Sequence, residues 1–262
     1  MRVTVDDATA AVESCAARIV ELASTRLAPG QRVVGSDWTV DQVLAHLVSG
    51  ARAYREVAEG LASPYASLDQ RTAINQTRLE VELSSDLAAL TDAVDREISA
   101  IVALIRSTRP TTVSWHGGIE LTTVPYLGAI VGELMFHGLD LARTAKTRWP
   151  LQHTDAVVAV EFFDAVTPHI VDAAHAGSLT ATIEVRYRGY DASTYRFEHG
   201  ALEVSPGRAQ HPDVHLSVDP AAFLAIGYGR RGLHSAMLRG QALAWGRKPW
   251  LGLRFPSLFQ AP

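Results

Sequence analysis

The sequence is poor in three features that would each point to a particular class of protein. It contains one cysteine in 262 residues, which excludes an internal disulfide and is typical of a reducing cytosol. Its longest apolar runs are about six residues long, far short of a membrane span. Its 24 basic residues include only two lysines and form no basic stripe. Because the beginning of the chain also lacks a signal-peptide pattern, we expect a cytoplasmic protein that binds neither membrane nor nucleic acid.

The first half of the chain has the periodicity of long amphipathic helices. Apolar residues recur at three- and four-residue steps over residues 6–28, 39–60, 75–106 and 124–146, which predicts four helices. Thr39 and Gln42 form a capping-box pattern at the start of the second. Since no convincing strand interrupts these helices, residues 1–150 are predicted to form a four-helix bundle.

The second half changes character after Trp149-Pro150, where we place the domain boundary. Residues 151–262 are predicted to form a smaller α+β domain because short segments with strand-like alternation follow one another. After a helix near 154–175, the predicted strands are 179–188, 193–198, 201–205, 214–218 and 241–245, with short helices at 220–226 and 249–259.

One segment of the fourth helix has the residue types of a metal site. Glu133 and His137 are four residues apart, so their side chains project side by side from one margin of the apolar stripe. His46, on the margin of the second helix, is the candidate third ligand, and Gly50 leaves open space beside it. A His, Glu, His set suits Zn²⁺ or another first-row divalent ion and leaves a fourth position free. The alternative is a surface ion pair beside a buried, hydrogen-bonded His46.

Other reactive residue types receive simpler interpretations. Cys15 has core spacing on the first helix, which predicts a packed thiol. Trp38 is interpreted as a hydrophobic staple before the second helix, and His116, in a glycine-rich loop, is expected to be solvated. Gly227 to Arg231 only loosely resembles a phosphate-binding loop and is interpreted as a solvated turn.

Two segments carry a resemblance to a known family. Trp38 to Leu47 resembles the first metal motif of DinB-like bundles, and Glu133 to Ala142 (ELMFHGLDLA) resembles the second motif of the mycothiol-dependent maleylpyruvate isomerase family. The resemblance implies that His46, Glu133 and His137 bind zinc. Other DinB-like branches use three histidines, so Glu133 favours the isomerase branch.

The second half resembles the sterol-carrier-like partner domain of that family. His211 to Val218 and Leu238 to Leu243 are similar to its strands. The resemblance implies that an arginine of this domain reaches the active site; Arg230 is the candidate, with Arg231 and Arg239 as close competitors.

The resemblance also implies a function. Zinc would activate mycothiol, a low-molecular-weight thiol, for addition to a small electrophilic substrate, either as an S-transferase or as a maleylpyruvate-type cis-trans isomerase. Asp140 would orient a ligand imidazole or, alternatively, pair with Arg143 or Arg148. The competing hypothesis is a non-catalytic protein that binds or carries a small ligand. A monomer and a homodimer are both compatible with the sequence.

Overall fold

The computed structural model describes residues 2–260 and divides the chain into two compact units. The first unit is Thr4–Val158; the second comprises residues 159–260 together with Arg2 and Val3. The division therefore falls a few residues after the predicted boundary at Trp149-Pro150. Among the described residues, no helix combines the length and the apolar character needed to cross a membrane.

The first unit is a bundle of four long helices, as predicted, with a shorter fifth helix beside it. The helices that pack on one another are α1, α2, α4 and α5, and α3 packs on α2. Their bounds are α1 Val5–Arg26, α2 Val40–Ala58, α3 Arg71–Glu82, α4 Leu87–Thr108 and α5 Thr123–Thr144.

The predicted cap fixes the start of α2. The Thr39 backbone N–H donates to Gln42 Oε1 at 2.9 Å, which completes the reciprocal capping box. Seven consecutive residues, Val43–Ser49, are buried behind this cap. The cap therefore fixes where α2 begins, and with it the position of His46 on the buried face of the helix.

The prediction of one helix over residues 75–106 was wrong. The helix ends at Glu82, and α4 begins at Leu87 with the Asp86 carboxylate accepting from the backbone N–H of Ala89 at 3.1 Å. Leu83, which continued the apolar pattern, is 44% exposed. The intervening Ser-Ser-Asp supplies a helix cap, and this local hydrogen bonding outweighs the periodicity.

The segment between the last two bundle helices also differs from expectation. Its residues form a short antiparallel hairpin, β1 Thr112–Ser114 and β2 Glu120–Thr122. Gly117 and Gly118 have φ of 68° and 74° in the turn, a conformation that glycine adopts without strain. The hairpin was missed because each strand is only three residues long.

The second unit confirms the predicted α+β character. Its sheet has the order β5-β4-β3-β6-β7 and is antiparallel except for the β3–β6 pair. The strands are β3 Ala181–Tyr187, β4 Ala192–Glu198, β5 Ala201–Pro206, β6 Val214–Val218 and β7 Ala242–Gly246. The helices are α6 His153–Val166, whose first six residues are assigned to the first unit, α7 Ala173–Ala176, α8 Pro220–Gly227, α9 Leu233–Leu238 and α10 Trp250–Arg254. The helix predicted near 154–175 ends at Val166, and α9 was not predicted.

Two glycines in bundle helices provide a stability prediction. A Cβ on Gly138 would lie 2.1 Å from Trp149 Cζ2, whereas a Cβ on Gly50 would meet no atom within 4 Å. We expect Gly138→Ala to lower the free energy of unfolding by about 1–3 kcal/mol through overpacking. Gly50→Ala, the matched control, should be neutral or stabilising by up to about 1 kcal/mol. Urea unfolding of both variants checks this, and equal effects would contradict it.

Candidate metal centre

Three predicted ligands converge at one margin of the bundle. His46 on α2 and Glu133 and His137 on α5 offer ligand atoms that all lie within 4.8 Å of one another. Glu133 Oε2 is 3.6 Å from His46 Nε2 and 3.3 Å from His137 Nε2. Among residues 2–260, this is the one group of three or more such side chains that could hold a metal ion.

The spacing of these atoms fits a tetrahedral ion. Two ligands about 2.0–2.1 Å from one zinc ion lie roughly 3.4 Å apart at the tetrahedral angle, close to both distances at Glu133 Oε2. Two imidazoles and one carboxylate are a donor set that first-row divalent ions favour. The arrangement therefore fits a divalent metal better than the alternative of an isolated surface ion pair.

The electrostatics of His46 and Glu133 favour the protonation states that bind a metal. Burial lowers the pKa of His46, and the neighbouring His137 lowers it further, against the opposing effect of Glu133. Burial would raise the pKa of Glu133, but the hydrogen bonds and charges of the two histidines hold it well below its ordinary value. A neutral imidazole and an ionised carboxylate are the forms that bind a metal.

Trp38 contacts both ligand rings, which corrects its interpretation as only a hydrophobic staple. Its ring centroid is 5.0 Å from that of His46 and 6.3 Å from that of His137, and the second pair is stacked at 17°. His46 Nδ1 is buried and has no hydrogen-bond partner among the described residues. The orientation of this imidazole is therefore set by ring packing, whereas a metal-bound imidazole more often donates a hydrogen bond to an acceptor.

An open cavity of about 580 Å³, which includes space open to solvent, is lined by His46 and Glu133 within the same unit. Gly50 lies on its wall, so the predicted free space beside His46 is present. Besides His46 and Glu133, the polar and aromatic residues that line it are Tyr54, Tyr65, Arg71, Asn75, Trp115 and His116.

His116 is not solvated as expected but is only 5% exposed. Its ring lies 4.5 Å from the Trp115 ring and 4.1 Å from the Tyr65 ring, and Nδ1 is 3.1 Å from Ser63 Oγ. Burial, together with the charge of Arg71, lowers the pKa of His116 to about 3. The adjacent Trp115 is only a weak signal of this burial in the sequence, because Tyr65 comes from a distant segment and no local pattern shows that the two rings enclose His116.

The predicted catalytic residues have different surroundings. Asp140 is buried, and its Oδ1 lies 3.5 Å from Arg143 Nη1, the contact that its alternative interpretation named. Arg230 is exposed after the end of α8, in the second unit, and donates from Nη1 to the Tyr228 carbonyl at 3.1 Å. Their roles in catalysis stay predictions.

Cys15 is the packed thiol that its spacing predicted. It is fully buried, and its sulfur lies 3.3 Å from Asp155 Oδ2 and 3.1 Å from Arg18 Nη2. Burial and the nearby Asp155 carboxylate raise the pKa of the thiol to about 12, although Arg18 opposes them.

Fold and site together define a class: a helical bundle with a candidate His₂Glu metal centre, followed in the chain by an α+β unit. The family model of the mycothiol maleylpyruvate isomerase N-terminal domain matches residues 6–142. Because this match spans just over half of the 262 residues, the chain belongs to that family.

Solved structures agree with the fold. Two crystal structures of the mycothiol-dependent maleylpyruvate isomerase, one of them a histidine-to-alanine mutant, superpose with a TM-score of 0.57. They are 14% and, for the mutant, 12% identical to this chain, and each match covers 92% of this chain and 93% of the other. At this identity the likeness establishes the fold alone. A comparison with curated proteins finds no match.

The first prediction for the site concerns Glu133. The Glu133→Gln variant keeps the shape of the side chain but loses the charged ligand, so metal affinity should fall by more than about tenfold, with the helical content unchanged. Competition with a chromophoric chelator measures the affinity of the purified protein for Zn²⁺. Glu120→Gln, on the exposed side of β2, is the control and should bind as wild type does; a wild-type affinity for Glu133→Gln would exclude Glu133 as a ligand.

A second prediction concerns the buried His116. Its native pKa of about 3 lies below that of an unfolded histidine, so between the two values the unfolded state binds more protons. Stability from the neutral ring is complete above the unfolded pKa and is lost as the pH falls, by up to about 1.4 kcal/mol per pH unit. In His116→Phe, urea unfolding should show a smaller loss of stability between pH 7 and pH 5. Exposed His211→Gln should behave as wild type; an unchanged slope in His116→Phe would contradict the assignment.

Proposed function

We propose that this chain is a zinc-dependent enzyme that activates mycothiol for addition to a small electrophilic substrate. The observation that carries the proposal is the convergence of His46, Glu133 and His137 within 4.8 Å beside an open cavity. Membership of the family supports the choice of thiol. A reducing cytoplasm would be the matching location, because the thiol must remain reduced.

We assign separate roles to the residues at this centre. His46, Glu133 and His137 would hold the ion, and three protein ligands leave a coordination position for a ligand from solution. A bound zinc ion lowers the pKa of a thiol, so that the thiolate, the nucleophilic form, is present near neutral pH. The packing of Trp38 on both imidazoles keeps their rings in place.

The nucleophilic sulfur has to come from outside the chain. Cys15 is the only cysteine, it is fully buried, and its thiol is held protonated by a pKa of about 12. A thiol with this pKa is a poor nucleophile at neutral pH. A small thiol cosubstrate is therefore the consistent source of reactive sulfur.

Two reactions follow from the same first step. The thiolate sulfur forms a bond to one carbon of a conjugated double bond, and the π electrons move to the carbonyl oxygen as an enolate. In an isomerase, rotation about the new single bond precedes cleavage of the carbon–sulfur bond and release of the thiol. In a transferase, the enolate carbon takes up a proton and the sulfur stays in the product.

Mass spectrometry of the reaction products separates these outcomes. The zinc-loaded protein is incubated with mycothiol and either maleylpyruvate or a simple enone. A product isomeric with the substrate indicates an isomerase, and a product heavier by one thiol indicates a transferase. If neither product forms faster than in the presence of His46→Ala, the proposal is wrong.

We further propose roles for Arg230 and Asp140. Arg230 would stabilise the enolate oxygen, and Asp140 would orient the imidazole of His137 from within α5. Arg230→Ala should then lower turnover at least about tenfold with unchanged zinc affinity, measured by steady-state kinetics and chelator competition. Arg239→Ala is the matched control, since Arg239 is an exposed competitor on the same unit. A larger loss for Arg239→Ala would transfer the role to that residue.

A specific cavity supports the second candidate function, a non-catalytic binder of small apolar ligands. The second unit contains an open apolar cavity of about 750 Å³, which includes space open to solvent. Its wall includes Phe163, Leu216, Phe223, Met237 and Phe255. Titration with a fluorescent fatty acid tests this candidate: saturable binding by a protein that holds no stoichiometric metal would favour it over the enzyme.

A further inference from the structure

The cavity beside the candidate metal ligands contains a hydrogen-bonding group that the proposed function leaves unused. Asn75 lies on α3 and lines this cavity together with His46 and Glu133. All three residues belong to the same compact unit. Asn75 is half-buried, and its amide has an acceptor oxygen at one end and a donor nitrogen at the other.

A hydrogen bond from Tyr65 decides which end of the amide is left for a ligand. The Tyr65 hydroxyl donates to Asn75 Oδ1 at 2.5 Å. This contact occupies the oxygen and leaves Nδ2, which carries two N–H donors. Among residues 2–260, no hydrogen bond engages Nδ2. The cavity therefore receives a donor from Asn75 and not an acceptor.

Tyr65 is itself held in place, so the donor is oriented before any ligand arrives. The residue is 4% exposed, and its ring lies 4.1 Å from the ring of His116. Its carbonyl accepts from the backbone N–H of Gly117 at 2.9 Å, which ties this segment to the turn of the hairpin. A donor that is already fixed loses little conformational freedom on binding, and the contact it makes is correspondingly more favourable.

The oriented amide also lies close to the candidate metal centre. Burial raises the pKa of Tyr65, and the negative charge of Glu133 adds to this rise, so the hydroxyl that holds Asn75 is within electrostatic range of a candidate ligand. A small molecule bound to the ion through one atom would place its remaining atoms in the cavity that His46, Glu133 and Asn75 line. An oxygen among those atoms is the group that an amide N–H recognises.

We propose that Asn75 recognises the thiol cosubstrate by donating a hydrogen bond to a carbonyl or hydroxyl oxygen in the part of the molecule that does not react. The inference rests on the proposed function and adds a specificity-determining residue to it. The metal would select the sulfur, whereas Asn75 selects a thiol that carries an acceptor oxygen. An alkyl thiol offers no acceptor, so it gains nothing from this donor.

Two thiols test the hydrogen bond without requiring turnover. Mycothiol carries carbonyl and hydroxyl oxygens, and 1-propanethiol carries no oxygen. The dissociation constant of each thiol is measured by calorimetry on zinc-loaded protein, without electrophile and without air. Because the zinc–sulfur contact of a given thiol is the same in every variant, the change caused by a substitution reports the contact to oxygen.

Substitutions on α3 and at Tyr65 give the expected pattern. Asn75→Ala should raise the dissociation constant of mycothiol about fivefold, the size of one neutral hydrogen bond, and leave that of 1-propanethiol unchanged at equal zinc content. Tyr65→Phe removes the hydroxyl that orients the amide and should raise the mycothiol constant by a smaller factor. Gln76→Ala, at the neighbouring exposed position, is the matched control and should bind both thiols as wild type does.

The comparison is decisive in either direction. An unchanged mycothiol constant in Asn75→Ala, or an equal weakening of both thiols, would overturn the inference. Thermal unfolding shows whether Asn75→Ala is folded; if it is not, Asn75→Leu, which keeps the volume without the donors, decides by the same criterion. Failure of the proposed function is distinguishable, since it would appear in wild type itself as absent zinc or absent thiol binding. Failure of the inference alone leaves both intact and removes only the dependence on Asn75.

Discussion

The candidate site depends on one constraint: two helices distant in sequence must place three polar side chains, the candidate metal ligands, together at the edge of an apolar bundle. His46 is 8% exposed, and burying an imidazole beside a carboxylate costs free energy unless the groups are partnered. Glu133 faces both histidines within 3.6 Å. A bound cation would stabilise this arrangement, because it would place positive charge beside the Glu133 carboxylate and accept the lone pairs of the ring nitrogens.

Local sequence rules were sufficient where one helix decides the geometry. The i, i+4 spacing of Glu133 and His137 and the capping box at Thr39 are both present as predicted. The same local rules failed where hydrogen bonding or tertiary packing competes with periodicity. Asp86 caps a new helix inside the predicted third one, and His116 is buried by Trp115 and Tyr65, whose proximity no local pattern shows.

The sequence indicates the candidate metal ligands, but it does not indicate the residues that line the cavity beside them. The ligands lie on regular helices, so spacing and helix margins indicate them. Arg71 comes from a short helix and His116 from the turn of a hairpin, and only the fold brings them to the cavity of His46. The buried Cys15, with its raised pKa, is poorly suited to be a nucleophile, which is consistent with the proposed use of an external thiol.

Metal content tests the central claim most directly. Wild type and His46→Ala are purified, loaded with Zn²⁺, freed of excess ion and analysed by inductively coupled plasma mass spectrometry, with circular dichroism as the check on folding. The account predicts about one zinc ion per chain for wild type and substoichiometric zinc for a folded His46→Ala. Wild type without stoichiometric metal, or equal zinc in both proteins, would contradict it.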